Sequence, residues 1–347
     1  MEKPHGTRAP TLDDVARVAG VSRATVSRAL RDTRRVAPEL KEIVGRAVAE
    51  TGYVPNRAAR SLASGRTGTV VVAISGTDAS DVTGAEYDLF ADPFFSRVIG
   101  GLLRTLRTLD AQSLLLLAES DADRANVLAT VRQGVADGAV LVSTRANDPL
   151  PGAFADAGLP AVVFARPPGG AALSFVDVSN YDGGRLAAEH LVARGARHAA
   201  LIAGPLDVPS AESRARGFLD AMTRHGQAFP HVAAGEFTLE SGERAMAELL
   251  EADPAVDAVF ASNDLMALGA IHALQAEGRR VPEDVAVVGF DDSVISTIAR
   301  PTLTTVRQPI EEMAAEMARM LIDQVRDPDR APTSVVFDPV LVTRGSA

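Results

Sequence analysis

Apolar residues recur at helical spacing in three blocks before residue 55. In "TLDDVARVAG", Leu12, Val15, Ala16 and Ala19 share a face, Thr11 and Asp14 are spaced as a capping box, and Gly20 ends the run. In "VSRATVSRAL", Val21, Val26, Ala29 and Leu30 face one way, while Arg23, Ala24, Ser27 and Arg28 point elsewhere, and Ser22 caps. Pro38 opens a third helix with Ile43, Val44, Ala47 and Val48 inward and Gly52 at its end. Two short helices joined by a tight glycine-containing turn form a helix-turn-helix. In the next segment, Asn56 caps a short helix, Arg57 to Ser64, whose inner positions are Ala58, Ala59 and Leu62. About eight residues cannot hold a helix alone in water, so this segment is expected to fold only when docked.

From Gly68 the period changes. "GTVVVAIS", "SLLLLAES", "GAVLVST" and "PAVVFA" have the continuous apolar runs of buried parallel strands, separated by helical segments near 93–109, 124–135 and 149–158. A second series comes next in "LSFVDVS", "AALIAG", "AVDAVFAS" and "VAVVGFDD". The expected fold is an all-α helix-turn-helix head plus an α/β core of two doubly wound parallel-sheet lobes.

Charge sharpens the division. Residues 1–66 hold 13 Lys/Arg and 7 Asp/Glu, a net of +6, whereas the remainder holds 22 and 38, a net of −16. A basic head on an acidic body suits a polyanion at the head. The reading helix of a helix-turn-helix lies in the major groove, so Arg23 and Ala24 are placed at base edges and Arg28 can fork onto guanine. Ser22, Thr25 and Ser27 are short donors suited to phosphates. Leu62 can act as a minor-groove wedge, although an interdomain linker would read the same. Zero cysteines exclude a disulfide scaffold and thiolate-held metals. "MEKPHGTRAPTLDD" has no apolar run of the signal-peptide type, which leads to the expectation of a cytoplasmic protein without a membrane span.

"TLDDVARVAGVSRATVSRAL" followed by "VPNRAARSLASGRTGTV" resembles the lactose-repressor (LacI) family of bacterial transcription regulators. The resemblance continues through "DPFFSRVIGGL", "VDVSNYDGGRLAAEHL", "ALIAGP", "VFASNDLMALGAI", "VPEDVAVVGFDD" and "PTLTTVRQPIEEMA". It implies three parts: a DNA-binding head (1–55), a hinge helix and linker (56–67), and an effector-binding and dimerisation core (68–347). The core resembles the periplasmic sugar-binding-protein fold, crossed three times by the chain. Lobe 1 is expected at about 68–167 and 308–327, lobe 2 at about 168–307 and 328–347. The DNA-contacting set is Thr11, Ser22, Arg23, Ala24, Thr25, Ser27, Arg28, Tyr53, Asn56, Ala59, Arg60 and Leu62, with Arg23 and Ala24 the specificity positions and Leu62 the hinge wedge. The family often has an Asn near Arg31; this chain has "RALRDTRRVAPEL".

Ligands of open α/β sheets sit beyond the carboxyl ends of the strands. Asn263 and Asp264 follow one strand, Asp291 and Asp292 another, and Arg214 begins a helix. By position, Arg214, Asn263 and Asp291 match the family's effector contacts, and Phe237 a ligand-flooring aromatic. Phe94, Phe95 and Gln308 are first-lobe candidates, with Phe95 expected in the core. Arg, Asn and Asp in one cleft suit a polyhydroxylated ligand. Asp292 is expected to cap a turn or pair with an arginine, and His190 to be a satisfied structural histidine. Glu311 and Glu312 begin a helix, where negative charge suits the dipole, and carry no assigned chemistry. Ala165 stands where many relatives carry an aspartate, and the chain has no Trp.

The implied function is an effector-controlled operator-binding repressor, a homodimer on pseudo-palindromic DNA, with a sugar as the first-choice effector and a nucleoside-like metabolite as the alternative. No cofactor or metal is expected. An enzyme is disfavoured, because no G-x-G-x-x-G follows a strand, no G-x-S-x-G or P-loop occurs, and the six histidines show no metal-ligand spacing. A transport binding protein is disfavoured by the fused head.

Overall fold

The computed structural model describes residues 10–31, 36–54, 65–75, 92–143, 145–205, 207–227 and 229–347. The chain divides into two units, Met1–Thr67 and Gly68–Ala347. The expected hinge helix, with Asn56, Ala59, Arg60 and Leu62, lies outside the described residues.

In the first unit, α1 (Leu12–Ala19), α2 (Arg23–Arg31) and α3 (Pro38–Thr51) enclose a small core of Val15, Ala16, Val26, Ala29, Val44, Ala47 and Tyr53. The Asp14 carboxylate reaches back to the Thr11 N–H at 2.9 Å and accepts the Thr11 hydroxyl at 2.7 Å. Gly20 takes φ 65°, the left-handed conformation that lets α1 stop and α2 start within three residues.

The second unit contains two six-stranded sheets. The first takes β1 (Thr69–Ser75), β2 (Gln112–Ala118), β3 (Ala139–Ser143), β4 (Ala161–Phe164) and β5 (Ser174–Val178). Between these strands run α4 (Pro93–Thr108), α5 (Asp121–Arg132) and α6 (Leu150–Asp156). Next come α7 (Asn180–Ala193), β6 (Ala199–Ala203), α8 (Pro209–Arg224), β7 (His231–Ala234), α9 (Leu239–Ala252), β8 (Ala258–Ala261), α10 (Asp264–Ala276), β9 (Ala286–Asp291), α11 (Val294–Ile298) and β10 (Thr304–Arg307). The chain closes with α12 (Ile310–Arg326), β11 (Ser334–Phe337) and β12 (Val340–Val342). Sheet order is β11-β5-β4-β3-β1-β2 in lobe 1 and β12-β10-β9-β8-β6-β7 in lobe 2; only β12 runs antiparallel to its neighbour. Each sheet is covered on both faces by apolar clusters, which explains the uninterrupted runs in β1 and β3.

The chain crosses between lobes after β5, after β10 and after β11. This corrects the expected breaks at 167/168 and 327/328. "LSFVDVS" belongs to the first sheet, with Ser174 opposite Val162 and Phe175 opposite Ser334. Its inside-outside alternation is the same in either lobe, so only the pairing partner assigns it. Lobe 1 likewise keeps the weakly apolar β11, and only residues beyond it return to lobe 2. The run "SLLLLAES" also departs from expectation. It forms a parallel strand, but on the sheet edge, with Leu114, Leu115 and Leu117 at 37%, 39% and 39% exposure.

Two pairs of helices, α7 with α8 and α9 with α10, meet backbone to backbone. A Cβ on Gly184 of α7 would lie 2.0 Å from the Arg214 carbonyl oxygen, and one on Gly217 of α8 would lie 2.0 Å from that of Tyr181. Only glycine at both positions allows this approach. Gly217→Ala is therefore expected to destabilise by about 1–3 kcal/mol, lowering Tm by roughly 2–4 °C per kcal/mol. Gly152→Ala, where a Cβ meets nothing within 4 Å, should leave Tm unchanged or raised in the same calorimetric comparison. Equal midpoints for the two variants would refute the close-approach requirement.

Candidate functional site

On the head, α2 presents Arg23, Ala24 and Arg28 to solvent, with Thr25 and Ser27 half-buried. Ser22 caps the helix by accepting from the Thr25 N–H at 3.1 Å, and the two hydroxyls lie 2.8 Å apart. Arg28 donates from Nε to the Ala24 carbonyl at 3.3 Å, and Arg23 lies 3.7 Å from Asp13. An exposed pair of that kind contributes little, so both guanidinium groups can be redirected to a ligand at small cost. Thr11 is tied to Asp14. Tyr53 belongs to the head's core cluster and is 9% exposed, so most of its surface is internal.

In the second unit, the polar candidates converge around Arg214, which is 6% exposed. Its Nε donates to Asn180 Oδ1 at 2.9 Å and its Nη1 to the Ser262 carbonyl at 2.8 Å, while its guanidinium stacks 3.7 Å from the Phe290 ring centre. Asp291 Oδ1 is 3.9 Å from Arg214 Nη1 and accepts from Gln308 Nε2 at 2.5 Å. Asn263 caps α10 by accepting from the Met266 N–H at 2.8 Å, and its Nδ2 donates to the Phe237 carbonyl at 3.0 Å. Phe237 itself has φ 62°, and its ring lies where a Cβ on Gly204 would sit, 2.6 Å away. Arg214, Asn263, Asp291, Gln308 and Phe237 are thus joined, directly or through Ser262, by strand ends of lobe 2 and the β10–α12 crossover. Phe94 stands at the start of α4 in lobe 1, edge-on to Phe95 and Phe164 at 5.0 and 5.2 Å. Phe95 is core, at 5% exposure.

Several participants were not read from the sequence. Asp92 caps α4, accepting from the Phe94 N–H at 2.8 Å, and is close enough to act electrostatically on both Arg214 and Asp291. "DP" before an apolar helix is a start signal that could have marked it. Asp177 accepts from Arg166 N, Val178 N and Asn180 Nδ2 at 3.1, 2.8 and 3.2 Å. Asp264 is buried, accepting from the Ser293 N–H, the Ser293 hydroxyl and the Thr305 hydroxyl at 2.7, 2.9 and 2.5 Å, so its task is structural. Asp292 pairs with Arg307 and Arg344, each at 2.6 Å, which hold it below the usual carboxylate range against the opposing effect of burial. Glu311, to which no chemistry was assigned, receives a forked contact from Arg97. His190 is not fully satisfied: burial lowers its pKa, and Nε2 is enclosed without a hydrogen-bond partner. Ala165 has φ 67°, a conformation aspartate tolerates better than alanine. Among the described residues, no cluster of three or more His, Cys, Asp or Glu is placed to hold a metal, and no helix is long and apolar enough to cross a membrane.

Four carboxyl groups act electrostatically on one buried guanidinium. Burial lowers the Arg214 pKa, while Asp291, Asp177, Asp264 and Asp92 work to keep its charge. Burial, and repulsion from neighbouring carboxylates, pushes Asp264 and Asp291 well above the usual range. The cluster therefore combines donors in Arg214 and the amides with carboxyl groups able to donate or accept. That is a mixture suited to neutral hydroxyl-rich ligands.

A carboxyl raised on folding takes up a proton that the unfolded chain releases near pH 4, so stability falls as pH rises from there towards the folded value. Asp291→Asn removes one such group and should flatten the decline of Tm between pH 5 and 8. A slope equal to that of the unmodified protein would mean that Asp291 is ionised throughout this range.

Residues 11–56 match the bacterial regulatory proteins of the lacI family, and residues 188–347 match the periplasmic binding protein-like domain. The chain is 41% identical over 343 residues to the HTH-type transcriptional regulator CelR of Thermobifida fusca, covering 98% of each. The solved complex of transcriptional regulator CelR with cellobiose superposes with a TM-score of 0.74 at 40% identity, over 97% of this chain and 100% of that one. The lac repressor dimer bound to operator and the anti-inducer ONPF gives a TM-score of 0.79 at 28% identity, over 98% and 99%. The exposed reading helix, the two-lobed core and this full-length similarity together place the chain in the lacI family of bacterial transcriptional regulators.

Proposed function

We propose that the chain is an operator-binding repressor that works as a homodimer and is controlled by a sugar, with a β-linked glucose disaccharide of the cellobiose type as the first candidate. The observation that carries this reading is the buried Arg214–Asn180–Asp291–Gln308 network, on a chain 40% identical to a regulator solved with cellobiose. Arg23 and Ala24 would read bases, Arg28 would fork onto guanine, and Ser22, Thr25 and Ser27 would set register on the backbone. The sugar would act by differential binding, favouring one relative orientation of the lobes. A coupling of about 1–3 kcal/mol changes operator affinity by roughly 5–150-fold.

The dimer reading is supported by apolar surface. Leu103 of α4, 44% exposed, and the three exposed leucines of β2 lie on lobe 1, where a second copy would cover them. The lac repressor, which superposes on this chain, was solved as a dimer on its operator. Leu115→Glu should shift the mass in light scattering at micromolar concentration from dimer to monomer and weaken operator binding at least about tenfold. A dimeric mass for this variant would place the interface elsewhere, and a tetrameric mass for the unmodified chain would contradict the proposed state.

Titration of labelled DNA from upstream of the chain's own gene, at a stated salt concentration with and without cellobiose, tests the central reading. Tight binding shifted by the sugar is expected. Arg23→Ala should lose about 1–3 kcal/mol on that DNA while binding random DNA almost unchanged. Indifference to cellobiose and to other sugars would reject the sugar effector, and equal losses on both DNAs would reject the base-reading role of Arg23.

A further inference from the structure

Arg97 lies in the second turn of α4, in lobe 1, and its guanidinium serves both lobes. Nε and Nη2 fork onto the two carboxylate oxygens of Glu311, at 2.8 and 2.9 Å, and Nη1 donates to the Asp291 carbonyl oxygen at 2.8 Å. Glu311 stands in the first turn of α12, which packs against α4 in lobe 1, whereas Asp291 ends β9 in lobe 2. The arginine side chain is 20% exposed. Burial opposes its charge, yet the Glu311 pair and the nearby Asp291 and Asp292 more than offset that.

What Arg97 holds is an unusual piece of backbone. Asp291 has φ 110° and Asp292 φ 50°, conformations that residues with a Cβ keep only when their surroundings enforce them. Arg307 and Arg344 grip Asp292 from within lobe 2, and Arg97 grips Asp291 from lobe 1. The carboxyl of the same Asp291 faces Gln308 and Arg214 in the cleft. One residue thus carries the inter-lobe contact on its main chain and the cleft contact on its side chain.

We propose that Arg97, aimed by Glu311, is a positioning residue: it ties lobe 1 to the Asp291 backbone, and so sets both the lobe spacing of the free chain and the direction of the Asp291 carboxyl. Its consequence for the effector rests on the proposed sugar-controlled function; the contact itself does not. A forked, charge-assisted pair aims the third donor, which lysine cannot reproduce because it has no fork. The ion pair of Arg145 with Asp207 also spans the lobes, but it joins surface loops and leaves Asp207 44% exposed, where solvent screening weakens it.

The chain has no cysteine, so Gln133→Cys after α5 and Glu251→Cys on α9 can carry a spin-label pair across the lobes of the full-length protein. Arg97→Met is expected to lengthen or broaden the inter-label distance distribution by about 2 Å or more. Glu311→Gln should shift it less in the same direction, and Arg97→Lys should not restore it. A distribution for Arg97→Met that overlays the unmodified one overturns the proposal. Should that variant fail to fold, Glu311→Gln decides by the same criterion. The measurement needs neither ligand nor DNA, so failure of the unmodified chain to bind cellobiose or operator would strike the functional reading alone.

Discussion

A guanidinium taken out of water must be met by partners on every side, and the second unit is organised around that demand at Arg214. The amide of Asn180, the carbonyl of Ser262, the ring of Phe290 and the carboxyl of Asp291 supply those partners from a helix start and the ends of two strands. Gly184 and Gly217 bring the helix backbones together and thereby deliver Arg214 to the strand ends. Removing one partner from a buried charge typically costs about 3–5 kcal/mol. Exposed pairs such as Arg23 with Asp13 are worth roughly 0–1 kcal/mol. That contrast matches the two proposed tasks, since a ligand cleft would hold its donors ready while a reading helix would release its arginines to a new partner.

The backbone at Asp291 and Asp292 connects this network to the division between lobes. Its left-handed conformations are kept by contacts from three arginines, one in lobe 1 and two in lobe 2. Asp264, buried one strand away, locks the following Ser293 and the neighbouring Thr305. A ligand that competes for the Asp291 carboxyl therefore acts on a segment already in contact with both halves. Small displacements there have somewhere to go, because close-packed interiors switch between arrangements more readily than they stretch.

What could be read in the sequence was local. The Thr11–Asp14 cap, the Gly20 turn and the apolar faces of the head's helices each involve residues within four positions, and the structure places them as their spacing implies, except Ile43, expected inward but 37% exposed. The β1 and β3 runs were equally legible, because burial on both faces leaves no polar alternation to interpret. Pairings between distant segments were hidden. Nothing in "LSFVDVS" says that β4 rather than β9 is its neighbour, and nothing in four consecutive leucines says that β2 is a sheet edge. Arg97 and Glu311 are 214 positions apart, and each alone has an ordinary helix-surface explanation. Asp291 was legible at a strand end, where a parallel sheet makes ligand chemistry a position rather than a motif, whereas Arg214 stood out through the position it shares with the family's effector contacts.

The three crossovers also govern the order in which the chain can become a folded object. Synthesis from the N-terminus yields the strands of lobe 1 through β5 early, but α12 and β11, which complete that lobe, emerge only after nearly all of lobe 2. Until then, the sheet face and the α4 flank that Met313, Ala314, Met317 and Leu321 will cover remain open to solvent as a broad apolar surface. Contacts of such large sequence separation are slow to form, and exposed surface of this kind invites association with other chains. The lobe that emerges first therefore stays open for most of synthesis, and it closes only shortly before β12 and the last residues complete lobe 2.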